Sequence, residues 1–324
     1  MTQFYKIRDF SALISDTFGF FQTHGRNYFR NWLLLNGPLL ILMVVMFVIG
    51  YSEFFTQITG AAGDGSSYLW QEYFEENQIM LILSLAAVLI VFLAASIISY
   101  TFPVFYMKRL SETGNKDIKA DEILFDIRSN ASRFVLFFLG MLFIVAPVFL
   151  VVIGISYALM IIVIGFFMLL FLLPLAMNVI NFLLFHYFHT GQGFFQSLSY
   201  AFRSQFNYAN FPNRSPLWKY WGSTFIMYLI INVITTIFTM IPLVIMMFRI
   251  FAVMEEGSGT GPQNPMAGGM GMLFFMTYGV SILVSFILMN LILVNGGLMY
   301  YDSRTDLHRN VDLSNIDAIG RNEA

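Results

Sequence analysis

Apolar residues fall into long runs at 33–52, 79–107, 218–248 and 272–299, separated by shorter mixed stretches. A helix needs about 20 such residues to cross roughly 30 Å of hydrocarbon, so each run predicts one membrane span. A fifth run, 134–185, holds no ionisable group except Tyr157. It is about twice the length of one span, and it predicts a tight hairpin turning near the GISY sequence at 154–157. Six spans follow.

The mixed stretches have a pattern of their own. Between 9 and 32, Phe10, Leu13, Ile14, Phe18, Phe21, Tyr28 and Trp32 recur at spacings of three and four, while Ser15, Gln22, Arg26 and Arg30 fall opposite. That is an amphipathic helix suited to a membrane surface, with Tyr28, Trp32 and the arginines at headgroup depth, or alternatively a cytoplasmic cap packed on the bundle. The pattern returns at 120–134, where Ile123, Leu124, Ile127 and Phe134 oppose Glu122, Asp126 and Arg133. It returns again at 193–206, where Phe195, Leu198, Phe202 and Phe206 oppose Gln196, Ser199, Arg203 and Ser204. Each such stretch precedes two spans. The chain therefore parses as an all-α polytopic membrane helix bundle of three repeats, about 9–107, 120–185 and 193–299, each an interfacial helix plus a transmembrane hairpin. Residues 1–299 make one membrane domain and 300–324 a tail.

Composition agrees with the spans: 58% hydrophobic, 18% aromatic and 11% charged residues could not be hidden inside a soluble domain of 324 residues. The formal net charge of -2 matters less than where the cations sit. Of the 17 basic residues, all but Arg249 lie before span one, between spans two and three, between four and five, or after six. The positive-inside rule then places both termini in the cytoplasm. The first apolar run begins only at Leu33, too far in for a secretory signal, so the lead-in is expected to stay on the mature chain. The chain has no cysteine, which excludes disulfides and thiolate chemistry.

The two outer loops differ in kind. SSYLWQEYFEENQ carries Trp70, Tyr73 and Phe74 among carboxylates and is expected to lie along the outer interface and offer a partner contact. EEGSGTGPQNPMAGGMGM is rich in Gly and Pro; without a strand before it or a helix and Lys after it, its glycines make no nucleotide site.

Candidate chemistry is sparse. No Asp, Glu, Lys or Arg stands near the middle of a span, where such a group would signal a proton or ion path. Span polarity comes from amides: Asn178 and Asn181, Asn232, Asn290 and Asn295, which are expected to tie helices together or, alternatively, to line a substrate path. Pro38, Pro103, Pro147, Pro174 and Pro242 predict kinks. His186 and His189 share a helix face but lack an acidic neighbour in sequence, and the 20 methionines are expected to fill gaps rather than hold copper. No metal, cofactor or catalytic set is expected, and no basic cluster is dense enough for nucleic acid. Arg26, Arg30, Arg128, Arg133 and Arg203 are candidate contacts for lipid headgroups.

After the last span comes NGGLMYYDSRTDLHRNVDLSNIDAIG. Its Tyr300, Tyr301, Asp302 and Arg304, with Asp312 and Leu313 downstream, resemble the tail of the membrane-domain superfamily named after glycerophosphoryl diester phosphodiesterases. The N-terminal RDFSALISDTFGFF and the IDAIG ending resemble a branch of uncharacterised six-span Bacteroidota proteins. That resemblance implies a bacterial inner-membrane protein without the hydrolase domain. The tail motif is expected to dock structurally, with Tyr300 and Tyr301 anchoring span six at the inner interface and Asp302 pairing with Arg304 or with basic helix ends. Two functions are compatible: a non-enzymatic accessory or scaffold subunit of an assembly for envelope biogenesis or protein export, with membrane lipids and other integral subunits as partners, or a transporter or lipid-handling protein for a neutral or lipidic substrate.

Overall fold

The computed structural model describes residues 4–63, 68–208, 215–256, 269–305 and 307, with the side chains at 51–63, 68–74, 249–250, 252–256 and 269–272 outside that description. The described chain is helical almost throughout: α1 (Phe10–Gly63), α2 (Tyr68–Thr113), α3 (Ala120–Ser129), α4 (Ala131–Gly140), a π-helical turn at Met141–Val145, α5 (Ala146–Ala158), a 3-10 turn at Leu159–Ile162, α6 (Ile164–Thr190), α7 (Phe194–Phe206), α8 (Leu217–Glu256) and α9 (Gly269–Ser303). Six helical stretches are long and apolar enough to cross a membrane, beginning at Phe10, Glu75, Ala131, Ile164, Leu217 and Leu273. The protein is an all-α polytopic membrane bundle.

Two sequence-based boundaries move. The lead-in at 10–32 is not a separate helix but the first turns of α1, which runs unbroken for 54 residues. Nothing in it interrupts the backbone ladder before Pro38. Asp9 starts the helix: its Oδ1 accepts from the Ala12 amide at 2.7 Å, a backbone donor that the first turn leaves orphaned, and from the Ser11 hydroxyl at 3.0 Å.

The fifth apolar run turns later than expected. Residues 154–157 lie inside α5, and the chain reverses through Leu159–Ile162 and Val163, whose φ of 64° is left-handed. A Cβ on Gly165 would stand 1.9 Å from the Ser156 carbonyl oxygen, so the absent side chain lets the start of α6 close against the end of α5. The position of the turn is thus set by Gly165 rather than by the polar pair in GISY. Asn130, which is not helical, separates α3 from α4, and Gly191, at φ 76°, ends α6. In chain order, the short helix α3 precedes the helical pair that turns at Leu159–Val163, and the short helix α7 precedes α8 and α9.

The chain divides into two compact units. The described residues within 1–32, 100–229 and 290–324 form one. Its core sets Tyr28 edge to face with Phe20, Phe102 and Tyr106, the Tyr28 and Tyr106 centroids lying 5.0 Å apart. The Tyr28 hydroxyl donates to Asn290 at 2.7 Å, and Asn31 Nδ2 donates to the Ile118 carbonyl at 2.7 Å. Tyr28 and Trp32 are fully buried in protein, not set out among headgroups. Residues within 33–99 and 230–289 form the second unit. There Asn36 Nδ2 donates to Ser99 at 2.6 Å, Phe47 stacks on Tyr278, and Gly279 fits against Val44 and Val48. In lipid, small residues and interhelical hydrogen bonds replace the hydrophobic effect as the means of joining helices.

Candidate functional site

The end of α9 carries the densest polar arrangement of the first unit. Asp302 is fully buried. Its Oδ1 accepts from the Arg8 backbone amide at 2.6 Å; its Oδ2 accepts from Lys219 Nζ at 2.7 Å, from the Tyr208 hydroxyl at 3.0 Å and from the Tyr220 hydroxyl. Lys219 also donates to the Arg8 carbonyl at 2.6 Å, so both backbone groups of Arg8 belong to the same cluster. The Arg8 guanidinium turns away to Asp16 at 2.9 Å and to the Phe4 carbonyl at 2.8 Å. Burial pushes that guanidinium below its usual value, and the hydrogen bond and charge of Asp16 oppose the shift. Four segments distant in sequence, 4–8, Tyr208 just after α7, the first turn of α8 and the last turn of α9, are joined here by charge-assisted hydrogen bonds.

Asp302 therefore pairs with Lys219 and not with Arg304, whose Nη1 donates to the Tyr300 hydroxyl at 3.1 Å. Tyr300 and Tyr301 are fully buried rather than placed at the interface. They belong to the packed end of α9, not to a free tail. Around them lie Phe4 and Tyr5, each 5.1 Å from the Tyr301 ring, and His186, whose ring stacks on Tyr200 at 3.9 Å and whose Nε2 lies 3.0 Å from Gln192 Oε1.

The amides behave as ties. Besides Asn290 to Tyr28, Asn295 Nδ2 donates to Thr17 at 2.9 Å and Thr224 donates to Asn178 Oδ1. Asn181 is buried against Gly296, while Asn232 is exposed on α8.

The five arginines part company. Arg133 donates to the carbonyls of Tyr187 at 2.6 Å, Gly191 at 2.7 Å and Gln192 at 2.9 Å, so it closes the carbonyl end of α6 instead of facing lipid. Arg26, Arg30, Arg128 and Arg203 are exposed with no ion pair among the described residues. Arg109, not singled out by the sequence, clamps α3: it donates to Asp126 Oδ1 and Glu122 Oε2, both at 2.9 Å. Trp70, Tyr73 and Phe74 sit in the first turns of α2, their side chains outside the described residues. The Gly/Met-rich stretch at 257–268 and the tail from 308 onward, including Asp312 and Leu313, also lie outside them.

A second feature lies in the same unit and was not legible in the sequence. An apolar groove of about 540 Å³ opens between the π-helical turn with α5, the middle of α6, and α7. Val145, Val148, Leu172 and Ala176 line its α5 and α6 sides; Phe195 and Phe202 line its α7 side, where Ser199 is the polar exception. The packed face of α7 is Ser197, Ala201, Ser204 and Gln205, whereas Phe195 is 70% and Phe202 56% exposed. Small residues let α7 lie close on α6, and the aromatic face is left outward.

Compared with protein-family models, with curated proteins and with solved structures, the chain matches none.

Proposed function

We propose that this membrane protein is a non-enzymatic accessory or scaffold subunit of an inner-membrane assembly, with both termini cytoplasmic, and that it acts by holding a partner for envelope biogenesis or protein export. The observation that carries this reading is the inward commitment of its polar groups: Asp302, Lys219 and Arg8 bind one another, and the span amides Asn290, Asn295 and Asn178 bind helix neighbours. Groups tied in this way fix one arrangement of helices. Partner contact is assigned to the aromatic stretch with Trp70, Tyr73 and Phe74, where rigid rings supply contact area at low entropic cost. The placement of the basic residues supports the cytoplasmic termini.

A second reading, lipid handling, is favoured by the groove under α7. Purification of the full chain in gentle detergent after crosslinking separates the two. The scaffold reading expects one stoichiometric integral companion whose recovery falls in Trp70→Ala with Phe74→Ala. A chain that runs alone after crosslinking, or a companion indifferent to that pair, removes it.

A further inference from the structure

We infer that the groove between α5, α6 and α7 binds one acyl chain of an anionic phospholipid, whose headgroup rests on Arg203. The inference requires that the protein spans the membrane and does not depend on the scaffold reading.

The groove is built by local backbone features rather than left by loose packing. The π-helical turn at Met141–Val145 places an extra residue in the wall just before Pro147, and Pro174 interrupts the ladder of the facing helix. Phe194 fills the notch at Gly140, where a Cβ would stand 2.4 Å from its ring, and so seats the start of α7 on α4. The helix is then held across one end of the groove with Phe195, Leu198 and Phe202 beside the opening.

The chemistry of the walls selects the occupant. Groove residues of α5 and α6 belong to segments long and apolar enough to cross a membrane, so hydrocarbon is the surrounding medium. The volume falls in the range of roughly 300–1,000 Å³ typical of small-ligand sites. A polar solute would leave its hydrogen bonds unmet along such walls. At the α7 side the character changes: Ser199 lines the opening, and Arg203, one helical turn further on, is exposed without an ion pair among the described residues. A cation beside an apolar slot complements a phosphate joined to an acyl chain.

The test uses the full chain reconstituted in phosphatidylcholine vesicles and a phosphatidylglycerol probe carrying a diazirine in its acyl chain. Crosslinks at Val148, Val152 or Ala176 should saturate and should be competed by unlabelled phosphatidylglycerol but not by added phosphatidylcholine. Labelling at the outward-facing Ile161 should rise linearly. Arg203→Gln should weaken the saturable component about fivefold, the effect of one cation near a lipid surface. Ala176→Phe, which fills the slot, should abolish it while leaving labelling at Ile161 unchanged; loss at both sites would report misfolding of that variant, and the wild-type saturation curve then decides. Linear, uncompeted labelling in the groove overturns the inference and leaves only bulk lipid there.

Discussion

Lys219 and Asp302 meet across 83 residues of chain, Nζ to Oδ2 at 2.7 Å, with the carboxylate enclosed by protein on every side. Removing one partner of a buried pair leaves the other charge uncompensated, at a cost of about 3–5 kcal/mol. Asp302→Ala should therefore lower the thermal unfolding temperature in detergent strongly. The double variant with Lys219→Met should recover part of that loss; strictly additive losses would show that the pair is not coupled.

Arg109→Gln should free α3 without unfolding the bundle. Ten residues are too few for a stable isolated helix in water, and the two-carboxylate clamp supplies much of what holds it. The loss is on the order of 1 kcal/mol for a half-exposed pair. Hydrogen exchange at 120–129 should speed up several-fold while α6 is unaffected. Equal exchange in both proteins would assign the docking of α3 to Ile123 alone.

Two glycines of the second hairpin should respond oppositely to alanine. Gly165→Ala drives a Cβ into the Ser156 carbonyl and should destabilise by about 1–3 kcal/mol, since backbone must move. Gly154 sits in α5 with open space around it, and Gly154→Ala should be neutral or slightly stabilising through helix propensity. Thermal scans of both variants check the pair, and a costly Gly154→Ala would return the turn to 154–157.

Asp9 gives an acid-side signature. The Ala12 amide and the Ser11 hydroxyl hold its carboxyl below the usual value. A depressed native pKa means that its contribution is present above the unfolded-state pKa and is lost as pH falls through the native one. Corrected for the intrinsic exchange rate at each pH, protection of the amides at 10–13 should fall as the medium is acidified through the native pKa of Asp9. Asp9→Asn, which caps in either condition, should flatten that fall, and an unchanged profile would give the effect to another group.

The orientation can be read directly because the chain has no cysteine. A cysteine placed at Ser258 should react with an impermeant thiol reagent from outside intact cells, and one at Ser314 should not. The opposite pattern would invert the topology.

The spans were legible because lipid imposes a length of about 20 apolar residues on any crossing helix. Helices α3 and α7 were legible as elements by their three-and-four spacing, but their packing was not. In a soluble protein Phe195 and Phe202 would face inward; with hydrocarbon as the medium they face out, and Ser197 and Ala201 make the close contact. Tyr28 and Trp32, read as interfacial, go the other way and are core residues, because helical spacing alone does not say whether an aromatic stripe meets lipid or protein. The hairpin turn was misplaced because nothing polar punctuates the run around it, and the deciding feature was one glycine opposite a carbonyl. Asp302 stood out in the tail sequence, yet its partners at positions 8, 208, 219 and 220 share no spacing with it. A single lysine just inside an apolar run, beside Tyr220, was the available signal for Lys219.

The amide of Arg8 finds Asp302 only 294 residues later in the sequence. At a synthesis rate of about 5–20 residues per second, the segment at 4–8 emerges roughly 15–60 s before the carboxylate that receives it exists. During that interval Arg8 has no Asp302, and Lys219, made 83 residues before that carboxylate, waits over the last part of it without a counter-ion from α9. The first unit is therefore closed only once α9 has been made, and a nascent chain truncated before residue 302 should be the form that membrane proteases clear.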